Sequence, residues 1–287
     1  MNTILNHKKK FLALGVAAAG AIYIKCKHKT AQRVCGVDYP NDTVILHTYG
    51  RMKFIPNLDP FSMKLETYLR INQIPYQIDE NHENGPKSKS CIPWIEYNGK
   101  RMADTQVIIK YLSESLKKDL NKHLTATDKE KSSEIQKLLE ERTYWVNYYL
   151  RWYVFWDDII VNLFDCPEII NKLIRGPARW YEKRLLKESD IGCHSDEQVQ
   201  NMLVEDLRKF ADMLGNKKFV MGDEISEVDC SAFGILSHVR WCLPAECPGH
   251  QLLTGGEMQH VVDYLDRIRA KYWSDWEEIM DKAKCKS

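Results

Sequence analysis

The cysteine residues are the side chains of this sequence with the clearest capacity for metal chemistry. Cys242 and Cys247 lie on either side of Pro244, and Cys193 directly precedes His194. Thiolates prefer soft metals, so these side chains suggest a site for an ion such as cadmium. The spacing is not that of a zinc site, and cysteines also serve as small buried core residues. We therefore favour structural cysteines and predict no metal ligand.

A hydroxyl and a carboxylate three residues apart mark the start of one helix. Ser226 and Asp229 have the spacing of a capping box, in which each side chain bonds a backbone NH at the other residue. Ile225 and Cys230 stand where a hydrophobic staple would pack. Taken alone, this pattern predicts a structural role for Ser226 and Asp229.

Strand-like and helix-like patterns alternate over roughly the first hundred residues after position 43, which is typical of an α/β unit. Asn98-Gly99 is a strong hairpin signal, and Pro75 permits a strand only at its start or on a sheet edge. The predicted elements are strand 44–47, helix 61–72, strand 74–78, hairpin 94–103 and helix 105–116. We predict one α/β domain over residues 44–120.

Long amphipathic runs without strand patterns follow from about residue 127. Thr127 to Glu130 has the pattern of a capping box, and Pro167 stands near the first turn of another predicted helix. Further helices are predicted near residues 197–214, 226–241 and 256–276. We predict an all-α domain over residues 121–287.

Composition limits the classes of partner. The chain has 41 Lys plus Arg, 40 Asp plus Glu and a net charge of +1, which excludes a basic nucleic-acid binder. Its nine cysteines are scattered without a C-x-x-C pair, which indicates reduced intracellular thiols better than a disulfide scaffold.

The N-terminal segment raises the question of a membrane. Residues 11–24 carry no charge and are flanked by lysines on both sides. They would span roughly 21 Å as a helix, against roughly 30 Å for a bilayer core. A cleaved signal peptide and an interfacial or buried helix are alternatives. We predict that residues 1–43 form a single-pass membrane anchor and linker, with the body facing the cytosol and the organelle open.

Three motifs together resemble the glutathione transferase superfamily. The stretch 219–229, FVMGDEISEVD, resembles the motif that begins the buried helix of its helical domain, and Ile92-Pro93 and Asp104-Thr105 resemble two signatures of its thioredoxin-like domain. The resemblance implies an α/β thioredoxin-like N-terminal domain and an all-α glutathione transferase-type C-terminal domain. It also implies that Pro93 is a cis-proline, that Ile92 pairs with the cysteinyl part of glutathione, and that Asp104 and Thr105 bind the γ-glutamyl carboxylate at a helix start. Thr105 as an ordinary N-cap and Pro93 as a purely structural residue remain alternatives.

Residues 56–70 resemble one branch of this superfamily in particular, that of failed axon connections and metaxin, which includes cadmium-responsive proteins. Branches with a catalytic cysteine carry Cys-Pro-Phe where this chain has Asp59-Pro60-Phe61. Aspartate cannot replace that nucleophile, so we interpret Asp59 as a helix N-cap. Two hydroxyls remain as candidate catalytic donors to a thiolate, Tyr49 and Ser62, and each also suits a structural role.

The resemblance leads to two functional hypotheses. The first is a membrane-anchored glutathione transferase-like protein that serves in stress or cadmium detoxification, with glutathione as ligand or co-substrate and no other cofactor. The second is a non-catalytic binding or scaffold protein of metaxin type, with a thiol ligand, a protein partner or a second copy of the chain. Both hypotheses place the chain at a membrane through its N-terminal segment.

Overall fold

A computed structural model describes residues 40–80, 92–163, 166–187 and 189–286 of the chain. Its first part contains four strands and two helices in the predicted order. The strands are β1 (Val44–His47), β2 (Tyr76–Asp79), β3 (Trp94–Tyr97) and β4 (Lys100–Ala103), and the helices are α1 (Pro60–Ile71) and α2 (Thr105–Leu116).

The strands form one mixed sheet in the order β2-β1-β3-β4. β1 runs parallel to β2 and antiparallel to β3, and β3 and β4 form a hairpin. Asn98 and Gly99 both have positive φ at the hairpin turn, as this two-residue turn requires. β2 begins one residue after Pro75, because proline has no NH to donate to a ladder.

The second part consists of helices. The first helical stretch comprises α3 (Ala126–Lys137), α4 (Tyr144–Tyr149) and α5 (Trp156–Asp158), with π-helical turns at Leu138–Thr143, Leu150–Val154 and Ile159–Leu163. The remaining helices are α6 (Glu168–Leu186), α7 (Asp196–Leu214), α8 (Glu227–Cys242), α9 (Pro248–Thr254), α10 (Gln259–Tyr272) and α11 (Trp276–Lys286), with a short 3-10 turn at Asp190–Cys193. The predicted fold class, an α/β thioredoxin-like unit followed by an all-α glutathione transferase-type unit, is confirmed.

Two local predictions about helices are wrong. The capping box of α3 is formed by Thr125 and Asp128, because the Thr125 hydroxyl accepts from the Asp128 NH, and not at Thr127 to Glu130. The predicted helix 256–276 extends beyond both ends of α10, and its last residue, Trp276, begins α11. Both errors concern where a helix begins or ends.

The sheet and the helical part meet along α1 and α8. Gly234 in α8 allows this close approach, since a Cβ atom there would lie 2.5 Å from the Pro60 carbonyl oxygen and 2.9 Å from the Lys64 nitrogen. Nine of the 12 residues of α1 are buried, so this helix lies between the sheet and the helical layer. The start of α1 is therefore held from both sides.

The predicted single-pass membrane anchor needs correction. Among the residues that the structure describes, no helix combines the length and apolarity needed to cross a bilayer. The segment 11–24, to which the prediction assigned the anchor, lies outside those residues.

Candidate functional site

Strand register brings the predicted site residues to one edge of the sheet. Trp94 in β3 pairs with Ala103 in β4, so Pro93 and Asp104 follow at the same end of the hairpin. His47 pairs with Trp94 on the other side, which places Tyr49, two residues beyond β1, at that same edge. The Ile92–Pro93 peptide bond is cis.

The start of α2 has the form of an anion-binding helix terminus. Asp104 is the N-cap residue, has a φ of 82°, and accepts a hydrogen bond of 3.1 Å from the Gln106 NH. A positive φ is uncommon outside glycine, so the surrounding structure must fix this turn. The first turn of a helix presents free NH groups and a partial positive charge.

Thr105 joins a buried polar cluster that spans both parts of the chain. Lys64 in α1 donates to the Thr105 hydroxyl at 3.3 Å and to the Glu140 carboxylate at 2.6 Å. Ser231 in α8 also donates to Glu140, at 2.6 Å. The Lys64 side chain is only 2% exposed, and its charge is balanced by Glu140 from the helical part.

The two candidate hydroxyl donors have different surroundings. Ser62 is fully buried, and its hydroxyl and backbone NH both donate to the Asp59 carboxylate, at 2.7 and 2.6 Å. Burial raises the pKa of Asp59, while the Ser62 hydrogen bonds and the charge of Arg151 oppose that rise. Tyr49 is half-buried, and its backbone oxygen accepts from the Asn57 amide at 3.3 Å. The hydroxyl of Ser62 is therefore occupied in capping α1 together with Asp59.

Two buried side chains from the helical part support the loop before α1. His238 Nε2 lies 3.0 Å from the carbonyl oxygens of Asn57 and Leu58, and Arg151 donates to the Leu58 oxygen at 3.0 Å. Burial and the Arg151 charge lower the pKa of His238 to about 3, so the ring is neutral at physiological pH. Sequence analysis did not identify these residues, nor Lys64 and Glu140. The only signal was charged or polar residues on apolar helix faces.

The capping pair Ser226 and Asp229 lies away from this edge, at the start of α8. The Asp229 carboxylate accepts from the Ser226 NH and hydroxyl, at 2.8 Å each, and from the Val220 NH at 2.8 Å. The Tyr264 hydroxyl is a fourth donor, at 3.0 Å. The pair thus connects α8 to the preceding turn and to α10.

The cysteines considered for metal chemistry differ in their solvent exposure. Cys242 and Cys247 are buried, and Cys193 is exposed. Burial raises the pKa of Cys242 to about 12 and also raises that of Cys247, which disfavours the thiolate that a metal needs. In the described ranges, no three His, Cys, Asp or Glu side chains are grouped so that they could hold a metal ion.

Two family models and several known proteins match this chain. The Glutathione S-transferase N-terminal domain model matches residues 60–158, and the Glutathione S-transferase, C-terminal domain model matches residues 203–268. The chain is 29% identical over 283 residues to Failed axon connections of Drosophila melanogaster, covering 93% of this chain and 67% of that protein. It is 26% identical over 232 residues to the Isoprene-epoxide–glutathione S-transferase of Rhodococcus sp. (strain AD45), covering 76% of this chain and 94% of that enzyme.

Solved structures show the same fold. A glutathione transferase from Phanerochaete chrysosporium has a TM-score of 0.55 at 13% identity, covering 80% of this chain and 98% of that one. One from Bombyx mori has a TM-score of 0.53 at 11% identity, covering 87% and 100%. This chain belongs to the glutathione S-transferase superfamily. The predicted family is confirmed, with Failed axon connections among the relatives in the predicted branch.

Proposed function

We propose that this chain binds glutathione at the sheet edge between Pro93 and the start of α2, and that it conjugates glutathione to electrophiles. The observation that carries the proposal is the convergence of Tyr49, the cis Ile92–Pro93 bond and the N-cap Asp104 at one edge. In this proposal, residues 44–120 supply the glutathione site and residues 121–287 close its side.

The γ-glutamyl carboxylate would lie at the first turn of α2, where Thr105 is 7% exposed. An ammonium group only donates hydrogen bonds, so the Thr105 oxygen accepts from Lys64. The hydrogen of the Thr105 hydroxyl is then directed toward a different acceptor. A ligand carboxylate supplies that acceptor, and the backbone of Ile92 pairs with the cysteinyl part, as the family resemblance implies.

Tyr49 is the better candidate for the thiolate donor. The Ser62 hydroxyl is buried and already donates to Asp59. Tyr49 instead lies half-buried at the sheet edge where the cysteinyl sulfur would be held. A hydroxyl that donates to the sulfur stabilises its anionic, nucleophilic form.

The Rhodococcus relative, whose name describes glutathione transfer to isoprene epoxide, supports the choice of electrophiles as co-substrates. A stress or cadmium role would then depend on glutathione itself as the thiol, because Cys242 and Cys247 are buried and the described residues contain no group of three metal-ligating side chains. The membrane association predicted from residues 1–43 and the predicted homodimer or protein partner are not part of this proposal.

Calorimetric titration of the full chain with glutathione tests the binding step. We expect Thr105→Ala to weaken binding roughly 10- to 100-fold, since a hydrogen bond to a charged group contributes about 1.5–3 kcal/mol. Thr127→Ala, an exposed threonine in α3, is the matched control and should bind as the unchanged chain does. Equal affinities for the two variants would exclude a site at the start of α2.

Turnover of chlorodinitrobenzene tests the chemical step. We expect Tyr49→Phe to lower the rate at saturating glutathione by at least about tenfold while leaving glutathione affinity nearly unchanged.

The departure from Cys-Pro-Phe at Asp59 favours a second candidate, a non-catalytic thiol-ligand binder. Glutathione binding that depends on Thr105, without turnover in the unchanged chain, would select that candidate.

A further inference from the structure

Helix α6 is buried along one face and carries exposed apolar side chains on the opposite face. Its inner face is buried against the helical core through Asn171, Ala178, Glu182 and Leu186. Ile169, Leu173 and Trp180 are instead 76%, 73% and 65% exposed, the three highest values among the exposed large hydrophobic residues of the described chain. Large apolar side chains rarely remain in water as a group without a binding role.

The three exposed residues lie on one face of the helix. At about 100° per residue, positions 169, 173 and 180 fall within roughly 40° of one another on the helix circumference. They lie opposite the buried positions 171 and 178. The stripe is roughly 16 Å long, at about 1.5 Å per residue, and we call these three residues the outer stripe of α6.

The outer stripe lies outside the residues that the two family models match. The N-terminal and C-terminal family models match residues 60–158 and 203–268, and α6 lies between these ranges.

Positive charge surrounds the outer stripe. The helix contains five cations, Lys172, Arg175, Arg179, Lys183 and Arg184, against two acids, Glu168 and the buried Glu182. Lys172 and Arg175 have carboxylate partners in Glu168 and Asp157. Within the described ranges, Lys183 and Arg184 form no ion pair, and both are exposed.

We propose that the outer stripe of α6 and its cations dock the protein onto an anionic lipid surface. The Arg184 guanidinium lies 5.7 Å from the ring centre of Trp180. The Trp180 ring is amphipathic, and the charged end of Arg184 can extend to the level of the lipid headgroups. Ile169 and Leu173 supply the apolar contact. The helix remains packed on the protein, and only its outward side chains enter the interface.

The same charges argue against two other occupants. A second copy of α6 would bring two sets of cations together with only Glu168 as an exposed acid on the helix. The apolar segment 11–24 is flanked by Lys8 to Lys10 and by Lys25, so it would also approach with like charge. An anionic bilayer complements both the apolar stripe and its positive rim.

Tryptophan fluorescence of the full chain tests the contact at the residue that should insert. Trp180 is the only one of eight tryptophans that is exposed, and the other seven are buried or half-buried. With vesicles of phosphatidylcholine and about 30% phosphatidylserine, in which part of the lipid carries brominated chains, emission should be quenched. The quenching should be largely absent in Trp180→Phe, which preserves an apolar side chain and isolates the Trp180 signal.

The charge requirement is tested by cosedimentation with the same vesicles. We expect the double variant Lys183→Gln/Arg184→Gln to bind about thirtyfold more weakly, as two cations near an anionic surface imply. Lys129→Gln/Lys131→Gln, two exposed lysines on α3, is the matched control and should bind unchanged. Thr105→Ala should also bind unchanged, so this proposal and the glutathione site can fail separately.

Several results would overturn the proposal. Vesicle binding that leaves Trp180 unquenched by brominated lipid would show that a different segment makes the contact, and absence of vesicle binding would exclude the contact itself. Equal binding to pure phosphatidylcholine would remove the role of the cations. Acrylamide quenching without lipid tests the other occupants. Protection of Trp180 at high protein concentration would indicate a second copy of the chain, and protection by polyglutamate would indicate an acidic protein.

Discussion

Glu182 is a buried carboxyl group whose ionisation acts against the folded state. It faces the helical core from α6 and is 1% exposed, with the Tyr148 hydroxyl donating to it at 3.0 Å. Burial raises its pKa from an ordinary 4.5 to about 7, and the hydrogen bond from Tyr148 opposes this only in part. The protonated form of Glu182 is therefore the one that the fold favours.

This pKa predicts how stability depends on pH. Because the folded chain holds a proton that the unfolded chain releases near pH 4.5, the favourable contribution of Glu182 is complete below that pH and is lost as pH rises through about 7. Between these limits the free energy of unfolding should fall by on the order of 3 kcal/mol from this group. Urea unfolding of the unchanged chain and of Glu182→Gln, from pH 5 to pH 8, measures this change in the free energy of unfolding.

In the Glu182→Gln variant, the free energy of unfolding should depend much less on pH between pH 5 and pH 8, since an amide does not titrate. The matched control is Glu168→Gln, which changes an exposed carboxylate at the start of the same helix and should keep the slope of the unchanged chain. Identical pH profiles for all three proteins would mean that Glu182 titrates normally in the folded state.

At the residue level, the sequence led to candidate site residues that carry motif signals and missed the residues that meet them only through packing. Pro93 and Thr105 were candidates because short motifs, Ile92-Pro93 and Asp104-Thr105, carry the resemblance to the family. Lys64 and Glu140 are 76 positions apart, and their contact depends on α1 lying against the helical part. A lysine on an apolar helix face is visible in sequence, but its partner is not.

At the level of elements, the close contact of α1 with α8 depends on the absence of a side chain at Gly234. We expect Gly234→Ala to destabilise the protein by about 2 kcal/mol, because the new Cβ would meet backbone atoms of Pro60 and Lys64, which cannot simply rotate away. Separation of the helices would also displace Lys64 from Thr105 and weaken glutathione binding. Urea unfolding and glutathione titration measure the two effects.

Gly176 in α6 provides the control for this substitution. Apart from its two chain neighbours, a Cβ atom there would have no neighbour within 4 Å. Pro177 follows and disfavours helical backbone at a residue with a Cβ atom, so we expect Gly176→Ala to bring no gain in stability but to cost less than Gly234→Ala. If Gly234→Ala were equally well tolerated, the two helices would not be in the close contact that the structure shows.

Helices and strands with strong local sequence signals lie where they were predicted. The residues at which helices begin and end were predicted less accurately. The Asn98-Gly99 hairpin and helix 105–116 lie where the sequence placed them. The start of α3 was placed two residues late, because Thr127 and Thr125 are both threonines near an acidic residue three positions on. Only the observed bonds between Thr125 and Asp128 distinguish the two.

At the level of the whole molecule, the two parts of the chain share α1 as a common layer. Arg70 at the end of α1 forms a bidentate pair with Asp275, at 2.6 and 3.1 Å, and Trp273 donates to Thr67 at 3.2 Å. The order of an α/β unit before a helical one was predictable from hydrophobic periodicity. The contacts that join the two units were not, since each residue lies about 200 positions from its partner.

This shared layer predicts that residues 40–120 do not fold by themselves. Without the helical part, α1 would expose the face that now packs on α8, and Lys64 and Arg70 would lose Glu140 and Asp275. A unit of about 80 residues has little stability to spare for such a loss. Proton NMR of the isolated fragment should show poor chemical-shift dispersion, whereas the spectrum of the full chain should be dispersed. A dispersed spectrum from the fragment would show that the sheet and its two helices are stable without α8, and that the contact along α1 joins two independent folding units.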